Sequence, residues 1–138
     1  MSKQAIERFL AGPNLARIAT VKKDGSPFVV PVWYEWDGGC CYVVGTATAS
    51  WVENIMRDPR VCLVIDRDDP PHEKVIIEGR AEITGQRLVD WIDIAQRMVV
   101  RYMAPSARAA YLEEIKNQAM VTIRVTSSRI TSWVEPKS

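Results

Sequence analysis

Residues 18–46 read IATVKKDGSPFVVPVWYEWDGGCCYVVGT, three extended apolar runs separated by Asp24-Gly25 and Asp37-Gly38. β-Branched and aromatic residues dominate these runs, which is typical of strands. Asp-Gly is favoured in the tight turns whose twist matches that of the flanking strands, so the stretch predicts two successive antiparallel hairpins. Pro31 lies within the second run, and proline is confined to edge strands or bulges. We therefore expect either an edge strand or a bulge there.

The rest of the chain predicts more helices and strands, without the alternation of a parallel sheet. Apolar residues at helical spacing predict helices over residues 3–11, 48–57, 86–103 and from Pro105 to about Lys116. Apolar runs predict strands over residues 60–66, 74–84, 119–126 and 129–136, and Gly79 marks a candidate bulge. The sequence therefore predicts a single mainly β domain over residues 1–138, a closed or split antiparallel barrel of about seven strands that carries helices.

Composition and charge exclude several classes of protein. The 138 residues are 47% hydrophobic and 25% charged, which is ordinary for a globular protein, and the net charge is +1. Near-neutrality provides no basic surface for nucleic acid or an anionic membrane, and no apolar run is long enough for a signal peptide or a membrane span. We expect a cytoplasmic protein with no nucleic-acid or membrane partner.

Few residues offer catalytic or metal chemistry. The only histidine, His72, lies in the loop-like segment DDPPHEK, where a histidine is far more often solvated than catalytic. Cys40, Cys41 and Cys62 lie in apolar runs without C-x-x-C spacing, which favours small core side chains over a disulfide or a zinc site. The sequence therefore assigns no catalytic residue and no metal ligand.

The segment GTATASWVENIMRDPR, residues 45–60, is a candidate phosphate-binding site. Its small and hydroxyl residues lead into a predicted helix, and the free N–H groups and dipole at a helix N-terminus favour an anion. However, no Lys or Arg lies between Gly45 and Met56, so a phosphate there would lack a local cation. The five tryptophans allow two interpretations: core and dimer packing, which we expect for most of them, and an aromatic cleft for a planar cofactor.

The order of these motifs resembles the pyridoxamine 5′-phosphate oxidase-like family, also called flavin-reductase-like split barrels. The resemblance is carried by LARIATVKKDGSPFVVPVWYEWDGG (15–39), NIMRDPRVCLVID (54–66), VIIEGRAEI (75–83) and VTIRVTSSRITSW (121–133). It implies a homodimeric split barrel of six or seven strands with a cofactor cleft at the subunit interface. The implied cofactor is FMN or, in one branch, coenzyme F420. The implied activity is that of an oxidoreductase that transfers a hydride between the cofactor and a small organic substrate. The alternative is a non-catalytic module of the same fold that holds heme, a tetrapyrrole or a flavin.

The resemblance also implies which residues hold the cofactor. Those around the phosphate would be Gly45, Thr46, Ala47, Thr48 and Ser50, and those contacting the cofactor from the second strand would be Pro31, Val32 and Trp33. Trp51 aligns with a position that is often lysine in the family, and Tyr34 with a second such position, so both cations are absent. Trp51 is expected to stack on the ring system, face the tail of a longer deazaflavin, or close the site. Replacement cations would come from Arg57, Arg60, Lys22, or Arg97 and Arg101 of a partner subunit.

Overall fold

The structure, a computed structural model, describes residues 1–135 as four helices and seven strands. The helices are α1 (Lys3–Ala11), α2 (Ser50–Arg57), α3 (Leu88–Tyr102) and α4 (Pro105–Lys116). The strands are β1 (Ala16–Val21), β2 (Pro27–Val32), β3 (Glu35–Trp36), β4 (Cys40–Thr46), β5 (Arg60–Asp66), β6 (Lys74–Gly85) and β7 (Met120–Trp133). None of the helices in this part of the chain is long and apolar enough to cross a membrane.

The seven strands form one antiparallel sheet in the order β2-β1-β5-β6-β7-β4-β3. The strands at its two edges, β2 and β3, are consecutive in the chain and are joined only by Trp33 and Tyr34. Because the three residue steps from Val32 to Glu35 span at most roughly 10 Å, the sheet must curl until its two edges approach each other. The predicted mainly β split barrel is therefore confirmed.

The predicted second strand divides in two because its residues change partners. Residues up to Val32 pair with β1, whereas Glu35 and Trp36 pair with β4. Between them, Tyr34 is fully buried, and its hydroxyl donates a hydrogen bond to the carbonyl of Leu10 at 2.8 Å. The buried side chain of Tyr34 therefore fixes the point at which the chain passes from edge strand β2 to edge strand β3.

The structure has one strand, β7, where the sequence predicted two, so the predicted break between them was wrong. Strand β7 runs continuously through Ser127 and Ser128, and its pairing with β6 shifts register beside Gly79, where the bulge was predicted. A Cβ on Gly79 would lie 2.2 Å from the carbonyl oxygen of Thr126, so only glycine permits this close approach of the strands. Pro136, the end of the last predicted run, lies outside the described residues.

Two apolar clusters hold the helices to the sheet. The first fills the barrel, and its fully buried members include Ile18, Leu63 and Ile123. The second contains Trp91, Ala95, Ile115 and Met120, and it packs α3 and α4 against the outward-facing Val44 of β4. The predicted position of α3 outside the barrel is thus observed, and a space remains between the helices and the end of β4.

Candidate functional site

A cleft of about 440 Å³ lies where β2, β4 and α2 approach α3 and α4. Its strand side consists of the end of β2 with the residue that follows and the end of β4: Pro31, Val32, Trp33, Val44, Gly45 and Thr46. The start of α2, the two outer helices and two further residues complete the wall: Ala49, Trp51, Ala95, Met98, Tyr111, Ile115, Leu15 and Met120. Small-molecule sites span about 300–1,000 Å³ and have mainly apolar and aromatic walls, so this cleft suits a small ligand.

An aromatic stack fixes the indole of Trp33 in the cleft wall. The rings of Trp33 and Tyr102 are stacked, with centroids 5.1 Å apart and planes within 5° of parallel, and Tyr111 is tilted against Trp33 at 5.5 Å. The hydroxyl of Tyr102 donates to the carbonyl of Asn14 at 2.8 Å and accepts from the backbone N–H of Tyr34 at 3.4 Å. Tyr102, whose hydroxyl is hydrogen-bonded to the backbone at Asn14 and Tyr34, thereby restrains the indole of Trp33.

Both tyrosines beside Trp33 stay protonated at neutral pH. Burial raises the pKa of Tyr102 above its usual value. Burial also raises the pKa of Tyr111, and the nearby Glu114 carboxylate adds to the effect because it disfavours a second negative charge. Tyr111, which lines the cleft, is therefore a neutral phenol that can donate a hydrogen bond to a ligand.

The indole of Trp51 covers Gly45 at the α2 end of the cleft. A Cβ on Gly45 would lie 2.6 Å from Cζ2 and 2.9 Å from Cη2 of Trp51. Trp51 is half-buried and also packs against the barrel core. Glycine at position 45 thus permits the close contact between the indole and β4 in the end wall of the cleft.

Six of the nine predicted cofactor residues lie in the cleft wall: Pro31, Val32, Trp33, Gly45, Thr46 and Trp51. Ala47, Thr48 and Ser50 do not line it, and Thr48 and Ser50 are exposed. The backbone N–H of Ala47 donates to the carbonyl of Ala119 at 2.7 Å, which removes it from any ligand. The cofactor role of all nine residues stays a prediction.

Within residues 1–135, the cleft wall contains no charged side chain. Within one chain, the side chains of four candidate replacement cations make hydrogen bonds outside the cleft: Arg57, Arg60, Arg97 and Arg101 donate to Asn54, Asp58, Glu35 and the carbonyl of Gly12, respectively. A role for Arg97 and Arg101 of a partner subunit stays a prediction. Lys22 is exposed beside the β1–β2 turn. The residues present therefore fit the planar ring of a flavin or deazaflavin, but they do not supply a charge partner for its phosphate.

The remaining reactive side chains lie away from the cleft. His72 lies in the loop between β5 and β6, and burial raises the pKa of the Cys41 thiol to about 12. In the described part of the chain, no three His, Cys, Asp or Glu side chains are placed to hold a metal ion together. The chemistry of the site is accordingly that of an aromatic binding cleft.

Comparison with known proteins identifies the family of this chain. The family model described as pyridoxamine 5′-phosphate oxidase matches residues 2–134. The chain belongs to this family. The resemblance inferred from the order of the motifs is thereby confirmed.

Solved structures of similar fold include proteins that are named for different ligands. A conserved hypothetical protein from Mycobacterium tuberculosis is 24% identical, with a TM-score of 0.75 over 97% of this chain and 85% of that one. An F420 reductase is 22% identical, with a TM-score of 0.70 over 91% of this chain and 94% of that one. HutZ, the heme storage protein from Vibrio cholerae, is 15% identical, with a TM-score of 0.72 over 95% of this chain and 92% of that one. These similarities establish the split-barrel fold.

Sequence reasoning missed the contribution of the outer helices to the cleft. The cleft is lined by four side chains of these helices: Ala95 and Met98 on α3, and Tyr111 and Ile115 on α4. In addition, Tyr102 at the end of α3 stacks on Trp33. The helical spacing in residues 86–103 identified a buried face of α3, but spacing does not reveal which element that face covers.

Proposed function

We propose that the cleft holds FMN or coenzyme F420 and that the protein is an oxidoreductase that transfers a hydride between this cofactor and a small organic substrate. The observation that supports the proposal is the cleft of about 440 Å³ with Trp33 fixed in its wall. A rigid aromatic surface between apolar walls favours a flat ring system, because the ring buries its faces without ordering mobile side chains.

When bound, the cofactor ring supplies the redox chemistry, and the residues of this chain supply binding, orientation and exclusion of water. Met98 and Ile115 provide apolar surface from the outer helices, and Trp33 provides the fixed aromatic surface. Tyr111 offers a protonated hydroxyl to the ligand or the substrate. Hydride transfer needs no side-chain acid or base, which agrees with an uncharged wall.

The proposal includes a cytoplasmic homodimer with the cofactor cleft at the subunit interface. Its support is the membership in the family and the open side of the cleft, which a second copy would cover. Sedimentation of the purified protein tests the dimer, and a monomer at the concentrations used for binding would overturn this part.

The absorption spectrum of the purified protein tests the cofactor, followed by titration with FMN, F420 and heme. We expect flavin or deazaflavin absorption, or quenching of tryptophan fluorescence when either cofactor is added, followed by reoxidation of the reduced cofactor on addition of an organic acceptor. A protein that takes up neither FMN nor F420 would overturn the proposed function.

The second candidate is a binding module that holds heme, a tetrapyrrole or a flavin without turnover. The uncharged wall agrees with this candidate as well, since a site without an acid or base can bind a ligand without acting on it. A Soret band, or a bound flavin that no acceptor reoxidises faster than the free flavin, would support this candidate over the oxidoreductase.

A further inference from the structure

We infer that Arg101 is a positioning residue for the cleft, because it ties the end of α3 to the two chain segments that carry the wall residues Leu15 and Trp33. Arg101 is not itself a residue of the cleft wall, so it acts through the residues between. The part of the inference that concerns ligand binding rests on the proposed function, whereas the part that concerns the order of the wall does not.

Arg101, in the last turn of α3, contacts both of the segments that lead into the wall. Its Nη2 donates a hydrogen bond of 2.6 Å to the carbonyl of Gly12, in the connection between α1 and β1. Its guanidinium carbon lies 5.4 Å from the ring centroid of Tyr34 and 5.5 Å from that of Tyr102. A cation at this distance is attracted to the face of an aromatic ring, and a hydrogen bond from a charged donor is stronger than one from a neutral donor. One half-buried side chain thus joins α3, the α1–β1 connection and the link between β2 and β3.

The first route from Arg101 to the wall runs through the two tyrosines. Tyr34 directly follows Trp33 in the chain and is fully buried, and Tyr102 stacks on the indole of Trp33. The guanidinium lies over both tyrosine rings, so it restrains Trp33 through its chain neighbour and through its stacking partner. Without the guanidinium, Tyr102 would keep its hydroxyl hydrogen bonds but lose the charged neighbour of its ring.

The second route runs through the connection between α1 and β1. The carbonyl of Gly12 accepts the hydrogen bond from Arg101 and a second one, of 2.9 Å, from the backbone N–H of Asn14. The carbonyl of Asn14 accepts from the hydroxyl of Tyr102, and the next residue, Leu15, lies in the wall. Two consecutive residues of α3 therefore hold this connection at two points just before the chain enters the wall.

Arginine suits this position because its guanidinium is planar and can lie over an aromatic ring while its N–H groups donate to a carbonyl. The ammonium of lysine is a compact charge on a flexible stem and provides no such plane. A wall that is fixed before binding loses less affinity to the ordering of side chains. Replacement of Arg101 should therefore loosen Trp33 and weaken ligand binding, in addition to any loss of stability.

The first experiment measures the order of Trp33 without a ligand. The near-ultraviolet circular dichroism of an aromatic ring requires fixed packing, so the contribution of Trp33 is the difference between each protein and its Trp33→Phe counterpart. We expect Arg101→Met to lose roughly half of this contribution or more, and Arg101→Lys to lose roughly a quarter, because lysine keeps the charge but not the plane. R101K carries the test if R101M does not fold. Arg87→Met removes the same charge from the exposed start of α3 and should leave the contribution unchanged. A Trp33 contribution that is the same in the Arg101 variants as in the unaltered protein would overturn the inference.

The second experiment measures riboflavin binding by quenching of tryptophan fluorescence. Riboflavin carries no phosphate, so a change in its affinity cannot come from a lost attraction between a cation and a phosphate. We expect the dissociation constant to rise about fivefold or more in R101M and to stay within about twofold in R87M, because only R101M loosens the wall.

The two failures are distinguishable. If R101M is less stable in urea but binds riboflavin as tightly as the unaltered protein, Arg101 only stabilises the fold and the inference is wrong, while the proposed function stands. If the unaltered protein binds none of riboflavin, FMN and F420, the proposed function is wrong, and the circular dichroism still decides whether Arg101 positions Trp33.

Discussion

Replacement of Gly45 by alanine tests the contact that shapes the end wall of the cleft. The new methyl carbon would lie 2.6 and 2.9 Å from two ring atoms of Trp51 and 3.0 Å from Cγ2 of Val52. Carbon atoms in contact lie about 3.5–4.0 Å apart, so the indole must move by roughly 1 Å or more. Gly45 is buried near the end of β4, so the indole of Trp51 or the side chain of Val52 must shift to accept the methyl group.

Two opposing effects set the magnitude. Overpacking a well-packed site costs about 1–3 kcal/mol, whereas alanine in a strand interior is better than glycine by about 0.5–1 kcal/mol. We therefore expect G45A to lower the free energy of unfolding by about 1–2 kcal/mol. In a Trp51→Ala background the ring is gone, and the same substitution should be within about 0.5 kcal/mol of neutral, which gives a coupling of about 1–2 kcal/mol.

Urea unfolding of the four proteins of this double-mutant cycle, followed by far-ultraviolet circular dichroism, measures the coupling. Gly39→Ala is the control, because a Cβ there would meet no atom within 4 Å, and we expect no coupling between positions 39 and 51. If G45A has the same effect with and without the tryptophan ring, the indole does not lie against Gly45, and the description of the end wall is wrong.

Three further predictions concern other parts of the molecule. Tyr102→Phe loses the hydrogen bond to the carbonyl of Asn14, so it should lower the free energy of unfolding by about 1 kcal/mol in urea titrations and weaken riboflavin binding through a less fixed Trp33. Hydrogen bonds from Arg60 hold the pKa of Asp58 at about 2, below its ordinary value, so Asp58 stabilises the fold above about pH 4 and this contribution is lost as the pH falls towards 2. Stability measured across that window should depend less on pH in Asp58→Asn. The thiol of Cys41, with a pKa of about 12, should remain unreactive towards a disulfide reagent at pH 8 in the folded protein and react after unfolding.

The sequence predicted the strands of this barrel where short-range signals are strong. Asp24-Gly25 and Asp37-Gly38 contain glycines with φ of 87°, and each closes a hairpin in which the flanking strands pair as expected. What could not be predicted was a change of partner within one extended run. Trp33 and Tyr34 have the same β propensity as their neighbours, and only the burial of Tyr34 beneath α1 shows where β2 ends.

The sequence predicted the cleft residues on the strands and at the start of α2, but it did not predict those on α3 and α4. The difference again depends on separation along the chain. The order of motifs placed Gly45, Thr46 and Trp51 near one another because they are close in sequence. Tyr111 lies 60 to 66 residues from these three in sequence and reaches the cleft through the packing of α4 on α3, which no local sequence pattern predicts.

The joining of the two edge strands by Trp33 and Tyr34 has a consequence for the order in which the chain folds. The hairpins on either side of this pair involve neighbours in sequence and can form early, since short loops close quickly. The barrel is complete only when β5, β6 and β7 have bridged the two hairpins through contacts of much longer range, which form slowly. Trp33, stacked on Tyr102 from the far end of α3, would thus reach its final environment in the last step. A ligand that requires this indole therefore binds only molecules with a completed barrel. By mass action it shifts the folding equilibrium toward them.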